Sequence, residues 1–194
     1  MYLSRDVPVT LNPLVRPTLH TPRLTLRPFV AGDAPEVARL AGDAEVARQT
    51  ASLPHPYLPE HAEAWISTHA RAWERSEELA LAVVLRSTEA LVGCVGLRVA
   101  REQQAGELGY WVGRASWGRG YATEAAGALV HLGFTGLGLQ RVWAQYFRRN
   151  GGSGRVMQKL GMRHEGTLRR HFLRDGERLD VEVCGLLAEE WRAR

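Results

Sequence analysis

The chain predicts an α+β domain of mixed αβα arrangement: one mixed, mostly antiparallel sheet flanked by helices. Three observations carry that expectation. Apolar strand-like runs follow one another at 79–85, 91–100 and 106–113, joined only by short polar turns. The third run passes through a glycine-spaced turn into a helical stretch at about 119–135. A strand at 140–147, a short helix at 151–160 and two further strand runs at 162–170 and 179–187 complete the pattern. With 194 residues, 45% of them hydrophobic, the chain is long enough for one domain with a substantial core.

Taken in order, residues 1–22 carry prolines at 8, 13, 17 and 22, which forbid a long helix and suggest an extended arm ahead of a domain at 23–194. Whether that arm rests on its own domain or on a second subunit is open, as is the choice between monomer and homodimer. Arg23 to Phe29 alternates as a half-buried strand does. Asp33-Ala34-Pro35-Glu36 reads as a capping box with an early proline, opening a helix through about Ala47. The breaker-rich stretch from Ser52 to Pro59 is a loop of the kind that shapes a substrate entrance, and Glu60 to Arg75 has helical spacing. No internal repeat is present.

The turn after the third central strand is the most informative feature. Gly118 and Gly120 let the backbone approach a ligand closely, and the helix that follows aims its unpaired N–H groups and positive dipole end at the gap. This is a site for a diphosphate. It is not a P-loop, because the single lysine, Lys159, is followed by leucine, and a protein kinase would need a strand lysine that is absent. It is not a dinucleotide fold either, since Thr123 stands where the third glycine belongs and Gln140 and Arg141 where the acidic residue belongs.

The segment Trp117-Gly118-Arg119-Gly120-Tyr121-Ala122 resembles the Gln/Arg-x-x-Gly-x-Gly/Ala signature of the GCN5-related N-acetyltransferase (GNAT) superfamily, with tryptophan at the first position, as in one branch of it. The tract from Asn150 through Ser153 to Leu160-Gly161-Met162, followed by Glu165-Gly166, Asp175-Gly176, Asp180 and Glu190-Trp191, is similar to the RimJ/RimL branch that acetylates ribosomal-protein N-termini. The likeness spans roughly residues 20–192. It implies a GNAT fold whose central strands splay apart, acetyl-CoA as cofactor, and transfer of acetyl to a primary amine by direct attack in a ternary complex. The acceptor is either a protein N-terminal α-amine or a small-molecule amine. A catalytically silent CoA-binding regulatory module is the alternative.

Net charge is +4 and the isoelectric point about 9.5, with arginine supplying nearly all the cations. Arginine pairs at 148–149 and 169–170 lack interleaved aromatics, so direct nucleic-acid binding is not expected. A mild positive field suits a polyanionic coenzyme. No apolar run is long enough to span a bilayer and the N-terminus lacks a signal region, which predicts a cytoplasmic location and no membrane partner. Cys94 and Cys184 lie in apolar runs with no ligand spacing, predicting buried thiols and no metal.

Acetyl transfer requires deprotonation of the amine, stabilisation of an oxyanion and protonation of a thiolate. By the resemblance, Ser153 contacts the sulfur and protonates the leaving thiolate; its ordinary alternative is a first-turn helix serine. The tyrosine used elsewhere in the family is replaced here by Met157. Asn150 is either a turn residue or a partner of the pantetheine amides. Glu107 shares a strand face with Gly109 and Trp111 and is the candidate base, with His171 the runner-up. The branch's own acid falls at Phe172, and Glu165 reads as structural. Val112, Trp117, Gly118, Arg119, Gly120, Tyr121, Ala122, Thr123, Asn150 and Ser153 are the cofactor-binding candidates. Glu124 reads as a first-turn acid paired elsewhere, and Arg155 with Lys159 as weaker candidates for a phosphate. Arg169, Arg170 and Arg174 are expected to leave the acceptor entrance positive, favouring acidic-flanked peptides over cationic amines.

Overall fold

The computed structural model describes residues 15–193. The expected arm at 1–22 therefore lies largely outside the described residues; within its described part, strand β1 (Leu19–His20) pairs antiparallel with β2 (Leu24–Pro28). Six more strands follow: β3 (Glu78–Leu85), β4 (Leu91–Ala100), β5 (Ala105–Val112), β6 (Arg141–Phe147), β7 (Arg163–Arg174) and β8 (Glu177–Leu187). They form one sheet in the order β1-β2-β3-β4-β5-β6-β8-β7, antiparallel at every junction except β5 with β6.

Both faces of the sheet are covered, which is why β3 is buried almost from end to end. On one face helix α4 (Tyr121–Thr135) sets Leu129, Val130 and Phe134 against Leu97, Leu108, Val142 and Leu186. On the other, helices α1 (Ala34–Ala41) and α3 (Pro59–Glu74) set Val37, Ala41 and Ile66 against Ala82, Val84, Cys94 and Trp111. Cys94 and Cys184 are buried free thiols. Among the described residues no helix is long and apolar enough to cross a membrane.

Three expectations need correction. The helix read from Asp33 to Ala47 is two helices, α1 and α2 (Ala44–Arg48), parted at Gly42, where an added Cβ would stand 2.6 Å from the Ala38 carbonyl and 3.3 Å from that of Tyr57. Asp43 restarts the chain as an N-cap, accepting from the Glu45 N–H at 2.8 Å. The capping box on Asp33 does not form either. Its carboxylate turns back to the Val30 N–H and takes a two-pronged bond from Arg27 at 2.7 and 2.8 Å. Burial pushes that carboxyl up, but Arg27 and Val30 outweigh it and the net shift is downward. The last strand pair is also longer than expected, because Asp175-Gly176 takes positive φ at both positions and closes a tight hairpin.

Candidate active site

The parallel partners β5 and β6 touch at only three positions, Ala105 with Arg141, Gly106 with Val142 and Glu107 with Trp143. Beyond them β5 stays on β4 as far as Val112, while β6 stays on β8 as far as Phe147. The inner edges therefore diverge, as the splayed sheet requires. A cleft of about 760 Å³ passes through the gap. Glu107, Gly109, Trp111, Gln145 and Phe147 line it from the α1–α3 face; Tyr110, Tyr146 and Met157 line it from the opposite face. The strand-face assignment made for Glu107 and Trp111 holds, since the β4–β5 register runs without a bulge.

At the mouth of this gap the chain enters α4. Gly118 and Gly120 have φ of 74° and 80°, the left-handed region, and a Cβ at Gly118 would meet nothing within 4 Å. The N–H groups of Tyr121, Ala122 and Thr123 precede the first intrahelical bond, which runs from the Glu124 N–H to the Gly120 carbonyl at 3.1 Å. This backbone concavity fits a diphosphate. Trp117 explains its place in the motif: its indole N–H donates to the Val112 carbonyl at 2.6 Å, tying the turn to the last residue of β5. Arg119 is exposed.

Arg23 was not foreseen. Its guanidinium donates to Glu124 at 2.6 Å and to the Arg119 carbonyl at 2.9 Å, and lies 4.8 Å from the centre of the Tyr121 ring. Thr21 and the Arg23 N–H also bond Glu124, at 2.6 and 2.9 Å. Burial raises the Glu124 carboxyl, but these bonds outweigh it and hold it below the usual range. The Arg23 guanidinium, paired with Glu124, thus sits beside the anion turn. Only a pairing across the molecule marks it, so local sequence carries no signal for it.

Helix α5 (Gly151–Leu160) brings Ser153 to the cleft. Asn150 is its N-cap, accepting from the Ser153 N–H at 3.1 Å while its amide donates to the Gln49 carbonyl at 3.3 Å. The turn-residue reading of Asn150 is thus realised. Gly161, at φ 74°, closes the helix. Tyr110, which sequence reasoning passed over, donates its hydroxyl to the Ser153 carbonyl at 3.3 Å. Burial pushes the Tyr110 phenol up to about 12, so it stays a donor throughout the neutral range. Strand alternation could have pointed to it, since it faces the side opposite Glu107. Arg155 and Lys159 are exposed on α5.

Glu107 stands at the apex, in the last paired position of the splay. Arg98 donates to one of its oxygens and Gln145 to the other, each at 3.1 Å, leaving lone pairs on both. His171 and Phe172 line the far wall of the cleft, and the 49–57 segment forms its roof. Arg149 donates to the Arg48 carbonyl at 3.1 Å, and Arg174 to those of Thr50 and Leu53 at 2.6 and 2.8 Å, so the roof is pinned from the opposite half of the molecule. Of the three arginines expected at the entrance, Arg174 has its side chain 11% exposed and holds these loop carbonyls, whereas Arg169 and Arg170 are exposed. Glu165, as expected, is structural, held by both terminal nitrogens of Arg141.

A splayed mixed sheet, a glycine anion turn at a helix N-terminus and a cleft crossing the gap define the class of acyl-CoA-dependent transferases. The family model for the acetyltransferase (GNAT) domain matches residues 23–163, and the chain belongs to this family of acetyl-CoA-dependent N-acetyltransferases. It is 30% identical over 172 residues, 88% of this chain and 97% of the other, to the uncharacterized N-acetyltransferase YoaA of Bacillus subtilis. It is also 30% identical over 84 residues, 43% of each chain, to the ribosomal protein uS5-alanine N-acetyltransferase of Escherichia coli. The crystal structure of a GNAT-family acetyltransferase from Bacillus anthracis superposes with a TM-score of 0.80 at 26% identity, covering 89% of this chain and 99% of that one.

Proposed function

We propose that the chain acetylates a primary amine by direct attack within a ternary complex, with the coenzyme on the α4–α5 face and the acceptor on the α1–α3 face. The observation that supports this most is the passage through the sheet, with Ser153 and Tyr110 on one side and Glu107 on the other. Acetyl-CoA supplies the activated acetyl group. The backbone from Arg119 to Thr123, with Arg23 beside it, holds the diphosphate; Trp117 fixes Val112 at the cleft mouth, and Asn150 orients Ser153. Glu107 accepts the amine proton as the N–C bond forms, and the Ser153 hydroxyl protonates the thiolate released as the C–S bond breaks. Cys94 also lines the cleft, but burial raises its thiol far above neutral, so it does not compete as a nucleophile.

Within the family the acceptor is a protein N-terminus or a small amine; the Escherichia coli relative acts on a ribosomal-protein alanine by its name. Steady-state kinetics with acetyl-CoA and a panel of amines test the mechanism. Intersecting initial-velocity lines are expected, whereas parallel lines with an acetylated protein detectable by mass spectrometry would refute direct attack. Glu107→Gln should lower kcat/KM most near neutral pH and progressively less at high pH, where the amine loses its proton unaided; a pH-independent ratio to the native enzyme would remove Glu107 as base.

A further inference from the structure

The acceptor side of the cleft holds a second carboxylate that the acetyl transfer itself does not use. Glu78, Arg98 and Glu107 are direct cross-strand partners on β3, β4 and β5, so all three project from one face in a row. The neighbouring row on that face is Ala80, Gly96 and Gly109, nearly bare of side chains, and the row beyond it is Ala82, Cys94 and Trp111. A Cβ at Gly109 would meet nothing within 4 Å. The result is a trench with a backbone floor. It runs two strand spacings, about 10 Å, from Glu107 at the splay to Glu78 at the far end.

The two carboxylates are not equivalent. Arg98 turns to Glu107, which also takes a bond from Gln145, whereas among the described residues Glu78 has neither a hydrogen bond nor an ion pair. Its Oε1 lies 3.8 Å from where a Gly96 Cβ would stand, so the carboxylate leans over the trench floor. A half-buried carboxylate without a partner offers an unmatched negative charge to a cation arriving beside it. Trp65 and Tyr57 line the same cavity and add no opposing charge to it. With Arg98 balancing Glu107, the charged groups of the lining leave Glu78 as the net charge.

Resting on the acetyltransferase reading, we propose that Glu78 is a specificity-determining residue that binds a second, non-reacting cationic group of the acceptor. The substrate class is then a primary amine carrying another ammonium or guanidinium about 10 Å or less along its chain. This reverses the preference for acidic-flanked peptides drawn from Arg169, Arg170 and Arg174, because Glu78 lines the cleft itself whereas those arginines do not, and the nearer charge dominates.

Three probes of equal length separate the cases: 1,5-diaminopentane, pentylamine and 5-aminopentanoate, assayed by thiol release from acetyl-CoA with the full chain. The diamine should exceed pentylamine in kcat/KM by at least tenfold, with 5-aminopentanoate lowest. In Glu78→Gln the ratio of diamine to pentylamine should fall to within about twofold, and Glu78→Asp should retain most of it. Equal rates for diamine and pentylamine, a preference for 5-aminopentanoate, or a diamine preference that survives Glu78→Gln would each overturn the proposal. Calorimetry of 1,5-diaminopentane with the CoA-saturated protein keeps the two readings distinct. Binding weakened at least fivefold by Glu78→Gln, without thiol release, would sink the transferase reading and leave the cation site standing; transfer with no dependence on Glu78 would do the opposite.

Discussion

Ser153 occupies the first turn of α5, where its backbone N–H serves the Asn150 cap and its carbonyl accepts Tyr110, leaving the side-chain hydroxyl for chemistry. Ser153→Ala should therefore cut kcat by roughly tenfold to a thousandfold with CoA affinity nearly unchanged. Tyr110→Phe, measured beside it, should cost less than threefold; the reverse ranking in kcat would move the proton-donor role to the tyrosine. His69 makes a separate prediction about stability. It is 4% exposed, packed against Phe29 and Trp65, with neither ring nitrogen bonded. Burial, with Arg16 adding to it, pushes its pKa down from 6.5 to about 4. The folded state thus resists protonation that the unfolded chain accepts below pH 6.5. Its contribution is complete above that pH and is lost as pH falls toward 4, by up to about 3 kcal/mol. Urea titrations across that window should show the slope, and His69→Leu should flatten it.

At the scale of elements, the proposed diphosphate site between β5 and α4 is made of backbone, so its glycines should matter more than its side chains. Gly120→Val should weaken CoA binding by at least tenfold in calorimetry, since a branched residue at φ 80° is strained and its Cβ would crowd Arg23 Nη2, 3.3 Å away. Unchanged affinity would show that the diphosphate does not approach this backbone. The same scale shows where local reading succeeds. The α5 helix runs from Gly151 to Leu160 because Asn150 starts it and Gly161 stops it, signals that need no distant partner. Asp33 carried an equally plausible start signal, yet Arg27 on the neighbouring strand offered two charge-assisted bonds in place of a helix N–H.

Across the whole molecule, the proposed reading puts coenzyme and acceptor on opposite faces of the sheet, joined through the splay. Filling the acceptor trench should therefore slow transfer without touching the coenzyme side. Gly109→Val places a β-branched side chain, well suited to a strand, into open space on the trench floor. Thiol release with any amine larger than methylamine should fall at least tenfold, with CoA affinity within twofold and unfolding midpoint little changed. A variant that transfers acetyl as fast as the native enzyme would place the acceptor elsewhere.

What the sequence determined by itself is whatever is encoded over a few residues. Alternation along β5 put Glu107 and Trp111 on one face, Gly118 and Gly120 announced the anion turn, and Asn150 with Gly161 bounded the helix bearing Ser153. Each depends on backbone periodicity or a single dihedral preference, so it survives translation from string to shape. Only the tertiary structure decided the contacts between distant positions. Arg23 reaches Glu124 across 101 residues and Arg174 holds the Thr50 carbonyl across 124, one setting a guanidinium beside the anion turn and the other tying the roof of the cleft to the last strand pair. The isolation of Glu78 belongs to the same class, since it follows from Arg98 choosing Glu107 over its other neighbour. Charge is counted in sequence, but the field at a site depends on which charges pair, and pairing is settled only when the sheet brings its strands together.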